Sequence, residues 1–221
     1  MDLNKYNNSS GLNKLCYEQL LKILDILPEN SNILEFGSGT STQFLIDYIL
    51  KYKKKFNIDS FDNDPNFSYK NTNNYNFLNL HITDLVSCSD ENFNKQLLEK
   101  KYNHSYFKKH ISVSYDNPLY WRQKNCFYDL SNITLKNTYN LIIIDGPNGN
   151  GRNIAYLHLI NKLTDNTFII VDDCNSRDGN YDYNFIPNLK YILNLQEHFT
   201  YISNSYDYYN GGNFSIYKSI Q

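Results

Sequence analysis

The chain has 221 residues, 41% of them hydrophobic, with 21 tyrosines and 13 phenylalanines, enough for one domain with a sizeable core. Its formal net charge of −2 gives no basic surface for nucleic acid or an anionic membrane, and no run approaches the roughly 20 apolar residues a spanning helix needs. The opening MDLNKYNNSS has no signal-peptide apolar core. Cys16, Cys88, Cys126 and Cys174 lack metal-type or C-x-x-C spacing. They read as reduced thiols, so the expected location is the cytoplasm, or the host cytoplasm if the source is viral. Asparagine, lysine, isoleucine and tyrosine recur throughout, a bias expected of an A/T-rich genome.

GLNKLCYEQLLKILDILPEN places Leu12, Leu15, Leu20, Ile23, Leu24 and Leu27 at helical spacing, and Pro28 ends the segment. NILEFG reads as a short buried strand, and Thr40 to Tyr52 as an amphipathic helix. FNIDSFDND is a second strand ending in acids, and FLNLHITDL is a weaker third. Residues 87–135 are irregular and predict an insert or lid, with a helix near Phe93 to Tyr102. YNLIIIDGP is the clearest buried strand, followed by a helix over RNIAYLHLINKL. TFIIVDD is another strand, and FIPNLKYILNLQEHF predicts a helix. TYISNSYDYYNGGNFSIYKS has two alternating segments around Asn210-Gly211-Gly212 and predicts an antiparallel hairpin. Apolar strands alternating with helices imply a doubly wound α/β fold, a mostly parallel sheet with helices on both faces and an antiparallel strand pair at its C-terminal end. The chain reads as a single domain over 1–221 with an N-terminal helical segment at 1–30. It suits a whole protein or one domain of a longer one, and oligomeric state is not legible.

In such a sheet ligands bind beyond the carboxyl ends of the strands. Gly37, Ser38 and Gly39 lie at such an end, where glycine lets a ligand approach the backbone. The N–H groups that open the next helix, with the hydroxyls of Ser41 and Thr42, can bind polar or anionic groups. The alternative is a tight strand-to-helix turn with a hydroxyl cap. Glu35 interrupts an apolar strand, so it requires a cationic or donor-rich partner. Asp62, at the end of the next strand, suits a carboxylate that accepts ribose hydroxyls.

LEFGSGTST, SFDNDP and IIIDGP together resemble a class I S-adenosylmethionine-dependent methyltransferase, from about residue 31 to the end. The resemblance implies a seven-stranded sheet with S-adenosyl-L-methionine as cofactor. Glu35, Gly37, Ser38 and Gly39 would hold its methionine part, Asp62 its ribose, Asn63 would lie beside the adenine, and Asp84 near the adenine amine. Thr42 replaces the third glycine of G-x-G-x-x-G, which disfavours a nicotinamide or flavin site.

Asp145, Asp172 and Asp173 end the two most apolar strands. Neighbouring carboxylates repel and raise one another's pKa, and a divalent cation such as Mg²⁺ would relieve the conflict. The pattern resembles metal-dependent O-methyltransferases. Asp172 and Asp173 share a site only if the chain turns between them. Three readings stay open: a metal site at Asp145, Asp172 and Asp173; a metal-free general base at Asp145 or at one of the pair Asp172 and Asp173; and Asp172 or Asp173 as the cap of a loop.

DGPNGNGR offers Asn148 and Arg152 to a polar substrate, and Arg177 could join them. Trp121, with Arg122 and nearby tyrosines, suits stacking on a sugar or anchoring the insert to the core. The resulting expectation is methyl transfer to a hydroxyl of a small molecule, a sugar or other polyol, with neither nucleic acid nor membrane as partner. The rivals are a non-catalytic cofactor-binding module of a larger assembly and a nucleotide-sugar enzyme on the same sheet.

Overall fold

The computed structural model describes residues 1–6, 12–66, 68–70, 74–111, 123–147, 149–173, 193–201 and 214–220. After a 3₁₀ turn at Leu3–Tyr6 comes helix α1 (Lys14–Ile26). Asn13 caps it by accepting the Cys16 N–H at 2.8 Å. Its buried residues Cys16, Tyr17, Leu20, Ile23 and Leu24 fall on one helical stripe. Then follow β1 (Asn32–Phe36), α2 (Thr40–Tyr52), β2 (Asn57–Asp62), β3 (Leu78–Ile82), β4 (Leu85–Ser87), α3 (Asp90–Glu99), β5 (Lys108–Lys109) and β6 (Cys126–Tyr128). β7 (Tyr139–Ile144), α4 (Asn153–Leu159), β8 (Leu163–Asp172), β9 (Leu195–Tyr201) and β10 (Phe214–Ser219) complete the described elements.

The main sheet has seven strands in the order β3-β2-β1-β7-β8-β10-β9. Strands β3, β2, β1, β7 and β8 are parallel, and β10 runs antiparallel to both β8 and β9. Chain order reverses between β1 and β7, so the ligand crevice of this α/β sheet opens there, at the carboxyl ends of those strands.

Alternation along each strand divides the core between two faces. Ile33, Leu141, Ile143, Phe168 and Ile170 pack with α1 and α2 on one face. Leu34, Phe36, Ile142, Ile144, Ile169 and Val171 pack on the other with α4 and the second, three-stranded sheet β5-β4-β6. Among the described residues no helix is long and apolar enough to cross a membrane.

Three expectations are corrected. FLNLHITDL is two strands in two sheets, β3 and β4, because the chain leaves the main sheet after Ile82. The helix expected over RNIAYLHLINKL ends at Leu159, and β8 starts at Leu163, where the Thr167 hydroxyl, donating to the Tyr139 carbonyl at 2.7 Å, ties it to β7. The described part of the helix expected over FIPNLKYILNLQEHF is strand β9: Leu195 pairs with Ser219 and Phe199 with Ile216, so ladder pairing overrides helical spacing. The expected antiparallel pair forms, with the turn at Asn210-Gly211-Gly212 outside the described residues.

Candidate active site

The site is built first from the turn between β1 and α2. Gly37 has φ +97°, a left-handed value that glycine alone adopts at no steric cost. A Cβ there would lie 2.8 Å from the Asp145 carbonyl carbon, so glycine also lets the turn touch the loop after β7. That loop begins with a cis Gly146-Pro147 peptide bond, and a side chain at Gly146 would meet the Tyr128 hydroxyl. The turn is latched to β2. Ser38 N–H donates to Asp62 Oδ2 at 3.0 Å, Asp64 N–H donates to Asp62 Oδ1 at 2.9 Å, and Ser38 Oγ accepts the Tyr69 N–H at 3.1 Å. Burial raises the Asp62 pKa, and the backbone N–H groups of Asp64, Asn63 and Ser38 oppose it. Asp62 thus shapes the glycine turn from the end of β2, with Asn63 beside it.

Glu35 is fully buried and donor-rich, as expected. Ser60 Oγ donates to its Oε2 at 2.5 Å and Thr42 Oγ1 at 2.6 Å. Thr42 Oγ1 in turn accepts the Gly39 N–H at 2.9 Å. Burial raises the Glu35 pKa, and the hydroxyls of Ser41, Ser60 and Thr42 counter it. Glu35 Oε1 is buried without a hydrogen bond. The hydroxyls of Ser41 and Thr42 therefore serve Glu35 rather than pointing out from the helix entrance.

The three aspartates do come together: one oxygen from each of Asp145, Asp172 and Asp173 lies within 4.8 Å of the others. Register explains the first two. Ile144 pairs with Val171, so the next residues, Asp145 and Asp172, stand abreast on neighbouring strands, about 4.8 Å apart. Asp173 has φ +53°, a conformation aspartate tolerates. This is the chain turn that a shared site requires. Burial, together with the charge of Asp173, raises the Asp145 pKa to about 7 against the pull of Arg152. Asp172 is raised well above the carboxylate range by burial and then by Asp173 and Asp145. Its Oδ1 is buried without a partner.

Arg152 is placed differently from the substrate-facing role expected of it. It is 1% exposed and lies under the acids. Its Nε donates to the Pro147 carbonyl (2.7 Å), Nη1 to that of Asp172 (3.1 Å) and Nη2 to that of Asp145 (2.8 Å). Nη2 also stands 3.8 Å from Asp145 Oδ1 and 3.7 Å from Asp173 Oδ2. One guanidinium thus clamps the ends of β7 and β8 and supplies a single positive charge to three carboxylates.

Asp84 lies exposed between the two sheets, paired with Lys109 at 2.6 Å, and is not gathered with the other candidates. Asn148, Trp121 and Arg177 lie outside the described residues. Phe127, from the same aromatic segment as Trp121, is core: it is 1% exposed, with its ring 5.0 Å from Phe36. Gly149 and Gly151 press the loop after β7 against the backbone of Gln123 and Cys126, so the small sheet walls that side of the crevice. Cys88 and Cys126 are thiols outside any disulfide.

Sequence reasoning missed Ser60 and Tyr128. Ser60, a polar residue inside an apolar strand, carried a signal. Tyr128 sits at a position that reads as core.

The residues suit a sulfonium nucleoside with an amino-acid tail. Glu35 Oε1, at the end of the strand that enters the glycine turn, is an acceptor without a donor, and the turn itself stands against the Asp145 backbone at the crevice. They also suit a divalent cation, since one oxygen from each of three carboxylates lies within 4.8 Å of the others and Asp172 Oδ1 is buried without a partner.

No protein-family model matches the sequence, and no curated protein matches it. Solved structures do. Fibrillarin from Aeropyrum pernix, in complex with natively bound S-adenosyl-L-methionine, is 14% identical, with 92% of this chain and 74% of that one covered and a TM-score of 0.50. A Methanococcus jannaschii fibrillarin, a pre-rRNA processing protein, is 11% identical over 88% and 69%, with a TM-score of 0.46. A ribosomal RNA methyltransferase from Plasmodium falciparum is 15% identical over 93% of both chains, at 0.45. The expectation that nucleic acid is excluded as a partner is withdrawn: it rested on net charge, a whole-chain quantity that does not report a local surface, and the second and third of these proteins carry ribosomal RNA in their own descriptions. At 14% identity the likeness to the Aeropyrum pernix structure establishes the fold alone, an α/β, Rossmann-like sheet.

Proposed function

We propose that the chain is an S-adenosylmethionine-dependent methyltransferase acting on a hydroxyl oxygen. The observation that carries this reading is the convergence at one switch point of the Gly37–Gly39 turn, Asp62 and the three-aspartate cluster. The fold shared with fibrillarin supports it.

In this reading the glycine turn and Asp62 hold the cofactor, whose bound sulfonium supplies the methyl group. The acceptor oxygen must then lie about 3–3.5 Å from the methyl carbon. Asp145, raised to about 7, takes the hydroxyl proton near neutral pH, where a general base is most effective. Asp173, the more exposed of the cluster, meets the acceptor. A divalent cation held by Asp145, Asp172 and Asp173 would supply further charge to stabilise the acceptor's oxyanion. The acceptor class is a sugar or polyol hydroxyl, and the ribose hydroxyls of RNA belong to the same chemistry.

The test is transfer of label from methyl-labelled S-adenosylmethionine to a panel of sugars, polyols and RNA oligonucleotides, with and without EDTA. Label in an alkali-stable methyl ether supports the proposal. Cofactor binding without transfer to any acceptor makes the chain a binding module. Failure to bind the sulfonium compound, with binding of a nicotinamide nucleotide, overturns the reading.

A further inference from the structure

The row of residues that carries Asp172 continues across the sheet to its far edge. Asp172 of β8 pairs with Phe214 of β10, and Phe214 pairs with Tyr201 of β9. Residues directly opposite in a ladder share a face, and here it is the face under α1. Phe214 belongs to that core layer, Tyr201 packs against it, and Asp172 follows Ile170 of the same layer by two residues. Two strand spacings put the Tyr201 backbone about 10 Å from that of Asp172.

Tyr201 and the start of α1 flank an open cavity of about 350 Å³, lined by Asn13, Lys14, Leu15, Glu18 and Tyr201. That volume is at the small end of the roughly 300–1,000 Å³ typical of small-molecule sites. Asn13 is committed to capping the helix, and Lys14 Nζ reaches Asn4 Oδ1 at 3.2 Å. Glu18 stands one helical turn beyond Lys14 and makes no ion pair among the described residues. The lining thus offers one aromatic ring, one cation and one carboxylate. An uncharged ring with several hydroxyls fits it: the C–H face of the ring packs on the phenol, and the hydroxyls donate to the carboxylate and accept from the ammonium. With the two charges in balance, the cavity has no net attraction for a phosphate chain. We propose that this cavity is a distal sugar subsite, and that the acceptor is a glycan of two or more rings. One ring rests on Tyr201, Glu18 and Lys14, and a hydroxyl of another lies at Asp145 and Asp173, a span too long for a single ring. The inference rests on the methyl-transfer reading and deepens it, since that reading leaves the acceptor open between sugars and RNA ribose.

The experiment applies fluorescently labelled wild type, Tyr201→Ala, Tyr201→Phe and Glu18→Gln to an array of mono-, di- and trisaccharides with RNA oligonucleotides spotted beside them. Titration calorimetry with S-adenosylhomocysteine on the same four proteins checks the cofactor site. The expected result is retention of di- or trisaccharides that share one terminal ring, about tenfold or more above the matching monosaccharides. Tyr201→Ala and Glu18→Gln should each lose about tenfold or more of that affinity, Tyr201→Phe should keep most of it, and all three should bind S-adenosylhomocysteine as wild type does. Retention of no glycan, of RNA alone, or of glycans equally by wild type and the variants overturns the inference while leaving the methyl-transfer reading intact. A folded wild type that does not bind S-adenosylhomocysteine overturns that reading itself, and the acceptor subsite falls with it.

Discussion

Arg152→Met isolates what the buried guanidinium does. The wild-type group makes three hydrogen bonds to carbonyls, at 2.7, 3.1 and 2.8 Å, and stands within 3.8 Å of two carboxylates. Hydrogen bonds from a charged group contribute about 1.5–3 kcal/mol each. Bonds within one network do not add, so the sum of roughly 5–9 kcal/mol is an upper bound. Removing one partner of a buried ion pair costs about 3–5 kcal/mol, and that is the expected loss. It is a large part of the ~5–15 kcal/mol that holds a typical domain folded. With a urea slope of about 2–3 kcal/mol per molar, the midpoint should fall by roughly 1–2.5 M. Arg152→Lys keeps the charge but loses the planar fork, and should fall in between. A loss below about 1 kcal/mol for Arg152→Met would refute the clamp and leave the residue free for the substrate role its sequence context suggested.

Three further outcomes are expected. Gly37→Ala forces a Cβ against the Asp145 backbone at φ +97°, so it should lower stability by more than about 1 kcal/mol and weaken S-adenosylhomocysteine binding in the same titration. Thr42→Val strips Glu35 and the Gly39 N–H of a shared partner and should cost about 1–3 kcal/mol by urea denaturation. Folded Asp145 keeps its proton to about pH 7, whereas an unfolded aspartate releases it near pH ~3.9. Between those values the folded state binds more protons, so this group makes stability fall as pH rises. Asp145→Asn should therefore flatten the decline in urea midpoint from pH 4 to 8, and an unchanged profile would sink the assignment.

Much of the fold was legible because its signals are local. Apolar runs such as LIII give central strands, and Pro28 and the Gly37–Gly39 turn mark where elements end and begin. The misread segments depend on distant partners. Leu195 to Phe199 has helical spacing, yet it lies against β10, and an edge strand joined only to its neighbour carries no periodicity strong enough to reveal this. Asp84 looked like a site residue because it follows a strand. The chain changes sheets there, and the change is invisible without knowing what β4 pairs with. Arg152 was read from its glycine-rich loop as exposed. Burial of an arginine is set by three carbonyls brought together from 147, 145 and 172, which only the folded chain assembles.

The acid cluster lay between these cases. From the sequence, Asp145, Asp172 and Asp173 end apolar strands, but strand alternation on its own sets the last two on opposite faces. Two facts decide the matter. The parallel register places Asp145 and Asp172 on the same row and face, and the left-handed backbone at Asp173 turns its carboxylate to them. The same parity aims Glu35 at that face from the neighbouring strand. One side of the sheet's carboxyl end therefore collects four carboxylates and, in its clamp, one arginine. Such an excess of buried negative charge is unfavourable unless protons or cations enter. The raised pKa values of Glu35, Asp145 and Asp172 describe the protonated solution. A sulfonium, an ammonium or a divalent ion describes the liganded one, so whatever binds this crevice should release protons on binding. Calorimetry of S-adenosylhomocysteine in two buffers of different ionisation enthalpy reads that release directly, and equal heats in both would mean that the acids do not sense the ligand.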